Sequence, residues 1–490
     1  MTTLTTTPYA ELLERVPTGL LIDGTWVGSS TGATIDVTDP ATGEVLVTIA
    51  DASPADGLRA LDAACAAAAE WAATPPRQRG ETLRRAFDLV TERKDDFATL
   101  MTLEMGKPLK EAYGEVTYGS EFLRWFSEEA VRISGRYGTN PEGNGRTLVS
   151  HRPVGPAYLI TPWNFPLAMA TRKIAPALAA GCPMVIKPAA NTPLTTLLLA
   201  QVLSDAGVPA GVVNVVPSSD SGAISEPIIS DPRLRKLSFT GSTPVGRKLL
   251  VQAAENVLKT SMELGGNAPF LVFGDADVDA AVEGAMLAKF RNIGQACTAA
   301  NRFIVHASVA EEFTTKITER VRKLVVGPGV DEGTTIGPLI DAKAVSATHE
   351  LVSDAVSGGA RVTTGGEAID GAGSFYAPTV LSGVSPAARL MREEIFGPVL
   401  AITTFTDDTE GIALANDTEY GLVSYAYTRD LARAHHLIDA LDTGMMGLNT
   451  GLVSNASAPF GGVKQSGLGR EGGAEGIHEY LETKYTLIPA

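Results

Sequence analysis

The sequence contains few of the residues that cross-link chains or bind metals: three cysteines and six histidines among 490 residues. Cys65, Cys182 and Cys297 are odd in number and far apart, which argues against both a disulfide framework and a zinc site. The histidines are scattered, and the adjacent pair His435 and His436 faces two directions on a predicted helix. We therefore expect three thiols and no metal ion.

The chain also lacks an excess of basic residues and any long apolar run. Its 56 acidic and 40 basic residues give a formal net charge of -16, and a field of this sign repels nucleic acid and anionic membrane surfaces. A spanning helix needs about 18 apolar residues, and the opening MTTLTTTPYAELLERV lacks the features of a secretory signal. We expect a cytoplasmic protein without nucleic-acid or membrane partners.

Apolar residues are plentiful, at 44% of the sequence, which is enough to fill more than one hydrophobic core. From about residue 157, short β-branched runs (AYLIT, MVIKP, VVNVV and KLSFTGS) alternate with amphipathic helices. This alternation predicts a parallel, Rossmann-like α/β sheet, which binds ligands at the carboxyl ends of its strands. A second alternating region, from about Asn267 to Met446, predicts a second α/β domain.

Two of the three cysteines have a structural explanation. SPAD (53–56) is typical of a helix N-cap, and Cys65 follows at helical apolar spacing, so we expect it in the core. Cys182 lies just before the apolar run MVI (184–186), so we expect it to pack at the start of a buried strand. Cys297 lies in GQACTAANR (294–302), on no apolar stripe. Burial statistics alone favour an inert, buried cysteine here, so the neighbouring motifs must decide between packing and reactivity.

Two glycine-rich matches lack the context that their function requires. GLGREG (467–472) satisfies G-x-G-x-x-G, but it follows a loop and leaves too little chain for a βαβ unit. GSSTG (28–32) satisfies G-x-S-x-G, but it joins two strand-like runs and is typical of a hairpin turn. We predict neither a dinucleotide fingerprint nor a serine nucleophile at these positions.

Six further segments resemble, in order and spacing, the motifs of the aldehyde dehydrogenase superfamily, over nearly the whole chain. They are PWNFP (162–166), FTGST (239–243), MELGGNAP (262–269), GQACTAANR (294–302), EEIFGPV (393–399) and PFGGVKQSGLGRE (459–471). The resemblance implies oxidation of an aldehyde with a nicotinamide cofactor. It also implies a Rossmann-like cofactor domain, a second α/β catalytic domain and a small β oligomerisation arm.

The expected domain boundaries are discontinuous. Residues 1–135 and 154–262 are assigned to the cofactor-binding domain, and residues 263–446 to the catalytic domain. Residues 136–153 and 475–490 are expected to be arms that pair with a neighbouring subunit, which favours a homodimer or homotetramer. The segment 447–474 is expected to return to the cofactor domain and the mouth of the active site.

The expected catalytic residues are Cys297, Asn164 and Glu263. Hydride transfer from an aldehyde requires a tetrahedral carbon, and a thiolate adds to the carbonyl more readily than a serine hydroxyl does. The resemblance assigns the Asn164 amide and the Cys297 N–H to the oxyanion hole, and Glu263 to activation of the water that hydrolyses the thioester. Glu263 argues against acyl transfer to coenzyme A, and the intact set argues against a non-catalytic binding protein on this fold.

The resemblance also implies a cofactor site along the first sheet. It assigns the pyrophosphate to the turn Gly241–Ser242, where a helix N-terminus favours an anion. Among the other positions, Trp163 is assigned to the nicotinamide half, Lys187 to the adenosine ribose and Glu394 to the nicotinamide ribose. The remaining residues expected along the cofactor are Thr161, Pro162, Asn164, Ala190, Leu264 and Phe396.

The position three residues after Lys187 bears on the choice of cofactor. NAD-preferring members of the superfamily commonly carry a glutamate there, and this chain has Ala190. Without a carboxylate to repel it, a 2′-phosphate can approach Lys187. We therefore predict a preference for NADP, with NAD as the second candidate.

Arg172, Arg291 and Ser454 match the carboxylate-binding residues of succinate-semialdehyde dehydrogenases. Arginine binds carboxylates through a planar fork, so this resemblance implies an aldehyde with a distal carboxylate, foremost succinate semialdehyde. Taken alone, each arginine is more often an ordinary ion-pairing residue. Glutarate semialdehyde is a rival because one methylene changes discrimination by only about 1 to 3 kcal/mol. Ala299 stands where some relatives carry a second cysteine, so we expect no local disulfide switch.

Overall fold

The computed structural model describes residues 9–490. Its helices in this range are, in chain order, α1 (Ala10–Arg15), α2 (Pro54–Ala73), α3 (Pro76–Glu92), α4 (Lys94–Met105), α5 (Leu109–Glu129), α6 (Pro166–Ala180), α7 (Leu194–Asp205), α8 (Ser221–Ser230), α9 (Thr243–Glu255), α10 (Val278–Phe290), α11 (Ala310–Val321), α12 (Ala342–Ser357), α13 (Asp408–Asn416), α14 (Leu431–Ala440) and α15 (Glu475–His478). Short 3₁₀ turns lie at Ala130–Arg132, Arg291–Gly294, Arg389–Met391 and Lys464–Ser466. Within the described range, every helix is too short or too polar to traverse a lipid bilayer.

The strands of the described residues form four sheets. They are, in chain order, β1 (Leu20–Ile22), β2 (Thr25–Val27), β3 (Thr34–Thr38), β4 (Val45–Ala50), β5 (Arg136–Thr139), β6 (Gly145–Pro153), β7 (Ala157–Ile160), β8 (Met184–Lys187), β9 (Val213–Val215), β10 (Lys236–Thr240), β11 (Lys259–Glu263), β12 (Ala268–Val272), β13 (Ala300–His306), β14 (Arg361–Thr364), β15 (Thr379–Ser382), β16 (Val399–Phe405), β17 (Val423–Tyr427), β18 (Met445–Leu448), β19 (Gly467–Leu468) and β20 (Leu481–Pro489).

The first sheet contains the strands that the alternating pattern from residue 157 predicts. Its order is β19-β11-β10-β7-β8-β9-β1-β2, and the five strands from β11 to β9 run parallel. Strands β7 and β8 are buried along their whole length, as expected where helices cover both faces of a sheet. The predicted Rossmann-like architecture is confirmed.

The second sheet is also largely parallel. Its order is β14-β15-β16-β13-β12-β17-β18, and only β14 pairs antiparallel with its neighbour. The chain crosses from the first sheet to the second between Glu263 and Ala268. This short crossing brings the carboxyl edge of the first sheet against the amino ends of β12 and β13.

A third sheet lies outside these two cores. Strand β6 pairs antiparallel with β5 on one side and, over nine residues, with β20 from the carboxyl-terminal segment on the other. Its outward faces expose large apolar side chains, including Tyr137, Tyr485 and Leu487. A three-stranded ribbon of this kind has two unpaired edges, which another chain can extend.

Local sequence explains where the helices next to the first sheet begin and end. Ser53 and Asp56 form a capping box: the Ser53 hydroxyl accepts from the Asp56 N–H at 3.2 Å, and the Asp56 carboxylate accepts from the Ser53 N–H at 3.0 Å. Helix α6 starts at Pro166 and ends at Ala180, and its C-cap residue Gly181 has a left-handed φ of 95°. The predicted N-cap at SPAD is confirmed.

Two local predictions are wrong. GSSTG does not close a hairpin, because the strand before it pairs with β1 in the first sheet and the strand after it pairs with β4 in a separate ribbon. Alternation identifies strands but does not identify their partners. Cys65 is partly exposed at the margin of the core, because its face of α2 is only partly covered. Cys182 is fully buried, as predicted.

Candidate active site

A cavity of about 280 Å³ opens where the two large sheets meet, and we call it the thiol cavity. It is formed by the carboxyl ends of β10 and β11, the turn after β7 and the loop before β13. Its lining residues are Pro162, Trp163, Asn164, Met169, Thr240, Gly241, Ser242, Glu263, Leu264, Gly265, Cys297, Glu394 and Phe396. Segments far apart in sequence therefore converge on one chamber.

Cys297 reaches this cavity from the loop between a 3₁₀ turn and β13, and its side chain is partly exposed there. Burial raises the pKa of Cys297 to about 12, while the guanidinium of Arg172 lowers it and the carboxylates of Glu394 and Glu263 raise it. At neutral pH the free protein therefore holds a neutral thiol. Nucleophilic attack requires a base that accepts the thiol proton, or a nearby positive charge that lowers the pKa of the thiol.

Asn164 follows β7 and lies across the cavity from the strand ends. Its side-chain amide donates to the main-chain carbonyl of Gln295 at 2.9 Å. The main-chain carbonyl of Asn164 accepts from Lys107 Nζ, also at 2.9 Å. An amide nitrogen carries two hydrogens, so a second N–H remains for an oxygen in the cavity. This arrangement can stabilise a negative oxygen that forms beside the thiol.

Glu263 ends β11, is 2% exposed, and neither carboxylate oxygen has a hydrogen-bond partner among the described residues. Burial raises the pKa of Glu263 well above its usual range, and the charge of Glu471 raises it further, whereas Arg172 and Lys173 oppose this. A carboxylate with raised pKa is a stronger base once ionised. The geometry therefore suits proton abstraction from a water in the cavity.

The amino end of α9 borders the cavity and is suited to an anion. Ser242 occupies the N-cap position, but no side chain caps the helix, in contrast to α10 and α12, which Asp277 and Asp341 cap. The N–H groups of the first helical turn have no intrahelical partner. Gly241 and Ser242 line the cavity at this end, so a pyrophosphate fits here.

The opposite side of the cavity carries two aromatic rings and a carboxylate. Trp163 and Phe396 contact edge to face, with ring centroids 5.4 Å apart. One oxygen of Glu394 accepts from the Gly266 N–H at 3.2 Å, and burial raises its pKa to about 7. A side chain at Gly265 would lie 2.9 Å from the other oxygen of Glu394, so glycine keeps this wall open. A ribose and a planar ring fit this wall.

Three residues predicted at the cofactor site lie outside the lining of this cavity. The Thr161 N–H donates to the carbonyl of Lys187 at 3.2 Å, which joins the ends of β7 and β8. Lys187 is 3% exposed, donates to the Pro188 carbonyl at 3.2 Å, and burial lowers its pKa to about 8. Ala190 is half-buried in the turn that follows. These residues lie at or just beyond the carboxyl ends of β7 and β8 in the first sheet.

A second cavity, of about 220 Å³, contains two of the three predicted substrate residues, and we call it the arginine cavity. It is lined by Glu111, Gly114, Glu115, Tyr118, Phe165, Arg291, Asn292, Leu452 and Ser454. Arg291 lies 5.3 Å from the centre of the Phe165 ring and forms no ion pair with any residue between 9 and 490. Its guanidinium is available to an anionic ligand.

Arg172 lies on α6 as predicted, but its side chain is already engaged. It is 1% exposed, and two of its nitrogens contact one oxygen of Glu471 at 2.9 and 2.8 Å. Its guanidinium also lies 3.8 Å from the centre of the Phe460 ring. Arg172 does not line the arginine cavity, so the structure does not bring the two predicted arginine forks together.

Sequence reasoning missed several buried charged residues that surround the two cavities. Glu471 lies in GLGREG, where it binds Lys173 and Arg172 instead of forming part of a fingerprint. Lys107 and Glu115 form a fully buried ion pair beside Asn164. Nothing local identifies them, because an isolated charge in an amphipathic helix usually faces solvent.

Known proteins resemble this chain over nearly its whole length. The profile of the aldehyde dehydrogenase family matches residues 26–486. A succinate-semialdehyde dehydrogenase of Paenarthrobacter nicotinovorans is 61% identical over 91% of this chain and 99% of that protein. An NADP(+) succinate-semialdehyde dehydrogenase of Escherichia coli is 50% identical (96% and 97% covered), and a glutarate-semialdehyde dehydrogenase of Pseudomonas aeruginosa is 50% identical (95% and 96%).

Solved structures give the same result. The crystal structure of an NADP-dependent enzyme of E. coli superposes with a TM-score of 0.96 at 49% identity, covering 98% of this chain and 99% of that one. These comparisons show an aldehyde-oxidising dehydrogenase, in which a cavity with a cysteine, an amide and a buried carboxylate lies between two α/β sheets. The chain belongs to the aldehyde dehydrogenase family.

The raised pKa of Cys297 predicts slow alkylation of the free protein at neutral pH. Because the thiolate fraction increases tenfold per pH unit below the pKa, the iodoacetamide rate at Cys297 should rise about tenfold per unit from pH 7 to 10. Peptide mass spectrometry after short pulses measures this rate separately from Cys65 and Cys182. A plateau below pH 9 would contradict the prediction.

Proposed function

We propose that this chain oxidises succinate semialdehyde to succinate with NADP. The observation that carries the proposal is Arg291, which forms no ion pair with any described residue and lies in a cavity next to the thiol. Phe165 lines the arginine cavity and Met169 lines the thiol cavity, and both pack with Ala296, the neighbour of Cys297. An aldehyde between the two cavities can therefore present its carbonyl to the thiol and a distal anion to Arg291.

The proposed chemistry begins with addition of the Cys297 sulfur to the aldehyde carbon. The thiol gives its proton to water, the π electrons of the carbonyl move to its oxygen, and the resulting oxyanion accepts from the Asn164 amide and the Cys297 N–H. A bound nicotinamide cofactor supplies the hydride acceptor for oxidation of this carbon to the thioester. Glu263 then takes a proton from water, the water oxygen attacks the thioester, and the Cys297 sulfur leaves as succinate forms.

The distal carboxylate is assigned to Arg291 and Ser454, with the field of Arg172 adding positive charge. Burial raises the pKa of Tyr118 in the arginine cavity, and the positive charges of Arg172 and Arg291 lower it. The electrostatic fields of both arginines therefore reach this cavity. The relatives named for succinate semialdehyde support the four-carbon substrate. The relative from P. aeruginosa keeps glutarate semialdehyde as the second candidate.

NADP is proposed as the preferred cofactor. No carboxylate follows Lys187 at Ala190, the position from which one would repel a 2′-phosphate, and a phosphate beside Lys187 favours its charged form. The E. coli relative is named for NADP(+), which supports the same choice. NAD stays as an alternative because the ends of α9 and β11 that border the cavity do not distinguish the two.

The proposal also covers the domains of the chain, its assembly and its cellular location. We assign cofactor binding to residues 1–135 and 154–262, catalysis to 263–446, and oligomerisation to the arms at 136–153 and 475–490, with a homodimer or homotetramer as the assembly. The exposed apolar side chains on β5 and β20 support pairing with another subunit. A cytoplasmic location is proposed because all three cysteines are free thiols.

The substrate proposal predicts a selective effect of Arg291→Ala. Because a hydrogen bond to a charged group contributes about 1.5 to 3 kcal/mol, kcat/KM with succinate semialdehyde should fall roughly 10- to 150-fold, and butanal should be almost unaffected. Initial rates of cofactor reduction measure both. Arg389→Ala, an exposed arginine paired with Glu393, is the matched control. Equal losses with both aldehydes would contradict the assignment.

The cofactor proposal predicts that Ala190→Glu weakens NADP use. The new carboxylate would repel a 2′-phosphate beside Lys187, so kcat/KM should fall at least about tenfold with NADP and much less with NAD. Ala190→Gln has nearly the same volume without the charge and serves as the control. Wild-type efficiency with NAD that equals or exceeds that with NADP would contradict the preference.

The assembly proposal predicts a mass well above that of one 51.2 kDa chain in light scattering after size exclusion. Leu487→Lys on β20 should shift the protein towards smaller species, because it places a charge on the exposed face of the arm, where Leu487 is 51% exposed. Leu431→Lys, at an exposed site on α14, should leave the mass unchanged. A wild-type monomer would overturn the proposal.

A further inference from the structure

The segment between Arg291 and the thiol has a strained backbone. Asn292, Ile293 and Gly294 are left-handed in succession, with φ values of 55°, 62° and 73°. This conformation is unfavourable for a β-branched residue, and each non-glycine residue in it costs about 1 to 3 kcal/mol. The Cβ of any larger residue at 294 would lie 2.2 Å from the Gly397 carbonyl. Surrounding contacts must therefore hold this segment.

Asn292 makes those contacts with the residues that position the Asn164 amide. It is 1% exposed, and its Nδ2 donates to the Asn164 carbonyl at 3.1 Å and to the Gln295 carbonyl at 2.8 Å. The same Gln295 carbonyl accepts from the Asn164 side chain at 2.9 Å. One amide thus fixes both the main chain of Asn164 and the acceptor that orients its side chain. The main-chain N–H of Asn292 donates to the side-chain carboxylate of Glu111 at 2.7 Å.

We propose that Asn292 is a positioning residue that sets the oxyanion-binding amide of Asn164 relative to Cys297. The inference rests on the proposed roles of those two residues and adds a residue to which no catalytic part has been assigned. Both hydrogens of the Asn292 side-chain amide are used on backbone carbonyls, so it has no N–H left to donate to an oxyanion. Its effect passes through Asn164, and a displacement of about 1 Å at such a site can cost about 100-fold in rate.

Removal of Asn292 should leave the fold intact. The Asn164 carbonyl keeps its bond from Lys107 Nζ, and Lys107 remains paired with Glu115, whose other oxygen accepts from the Leu167 N–H at 2.9 Å. Asn292→Gly also permits the left-handed conformation at no steric cost. The variant therefore loses two side-chain donors without leaving that carbonyl unpaired.

The test compares two reactions of the same thiol. Acylation by p-nitrophenyl acetate passes through an oxyanion, whereas alkylation by iodoacetamide does not, and both rates scale with the thiolate fraction. The ratio of acylation to alkylation therefore reports oxyanion binding alone. Asn292→Gly should lower this ratio about 10- to 100-fold, somewhat less than loss of a direct donor. Asn292→Asp, which keeps the shape and loses the donors, should lower it in the same direction.

A double-mutant cycle identifies the route of the effect. If Asn292 acts through Asn164, adding Asn292→Gly to Asn164→Ala should change the ratio less than about twofold. Asn416→Ala removes another amide that donates to a backbone carbonyl, that of Ala440 at 2.8 Å, and should leave the ratio unchanged. Thermal melting verifies that each variant is folded.

The contrary outcomes are distinct. Equal losses in acylation and alkylation, or an effect that adds fully to Asn164→Ala, would show a general disturbance of the loop and overturn the positioning role. Ester hydrolysis that survives Cys297→Ala would contradict the proposed nucleophile itself, and the role of Asn292 with it. Because the ester is not the proposed substrate, an error in the choice of aldehyde leaves this test unaffected.

Discussion

The candidate centre depends on the burial of ionisable groups that have no fixed partner of opposite charge. Burial raises the pKa of the Cys297 thiol to about 12 and raises the pKa of the Glu263 carboxyl well above its usual range. A buried group with a raised pKa is reactive once it loses its proton, because water does not compete for its charge. The same burial strengthens the field that acts on any aldehyde in the cavity.

This burial is tolerated because neighbouring charges are distributed unequally. Although burial opposes it, Lys173 and Arg172 lower the pKa of Glu471, whereas Glu263 has no such contact and keeps a raised pKa. The pKa values of two carboxyls in one region are therefore shifted in opposite directions, which separates a structural anion from a candidate base. Arg291, outside this group, stays free for a ligand.

Much of the molecule could be predicted from sequence because the relevant signals are local. Apolar periodicity predicted β7, β8 and α6, and a capping pattern predicted the start of α2. The six motifs predicted that Cys297, Asn164 and Glu263 belong to one site, and they line one cavity. The prediction of a hairpin at 28–32 is wrong because strand pairing depends on residues that are distant in sequence.

The sequence by itself determined the reactive groups, the two parallel sheets and the family resemblance, since these depend on residue types at short and regular spacing. Only the tertiary structure decided the environment of each group. It paired Arg172 with Glu471 and left Arg291 without an ion pair among residues 9–490, although nothing local distinguishes the two arginines. It also brought Asn292 to the Asn164 carbonyl, 128 residues away in sequence. Long-range contacts of this kind, which set pKa values and orientation, exist only once the chain is folded.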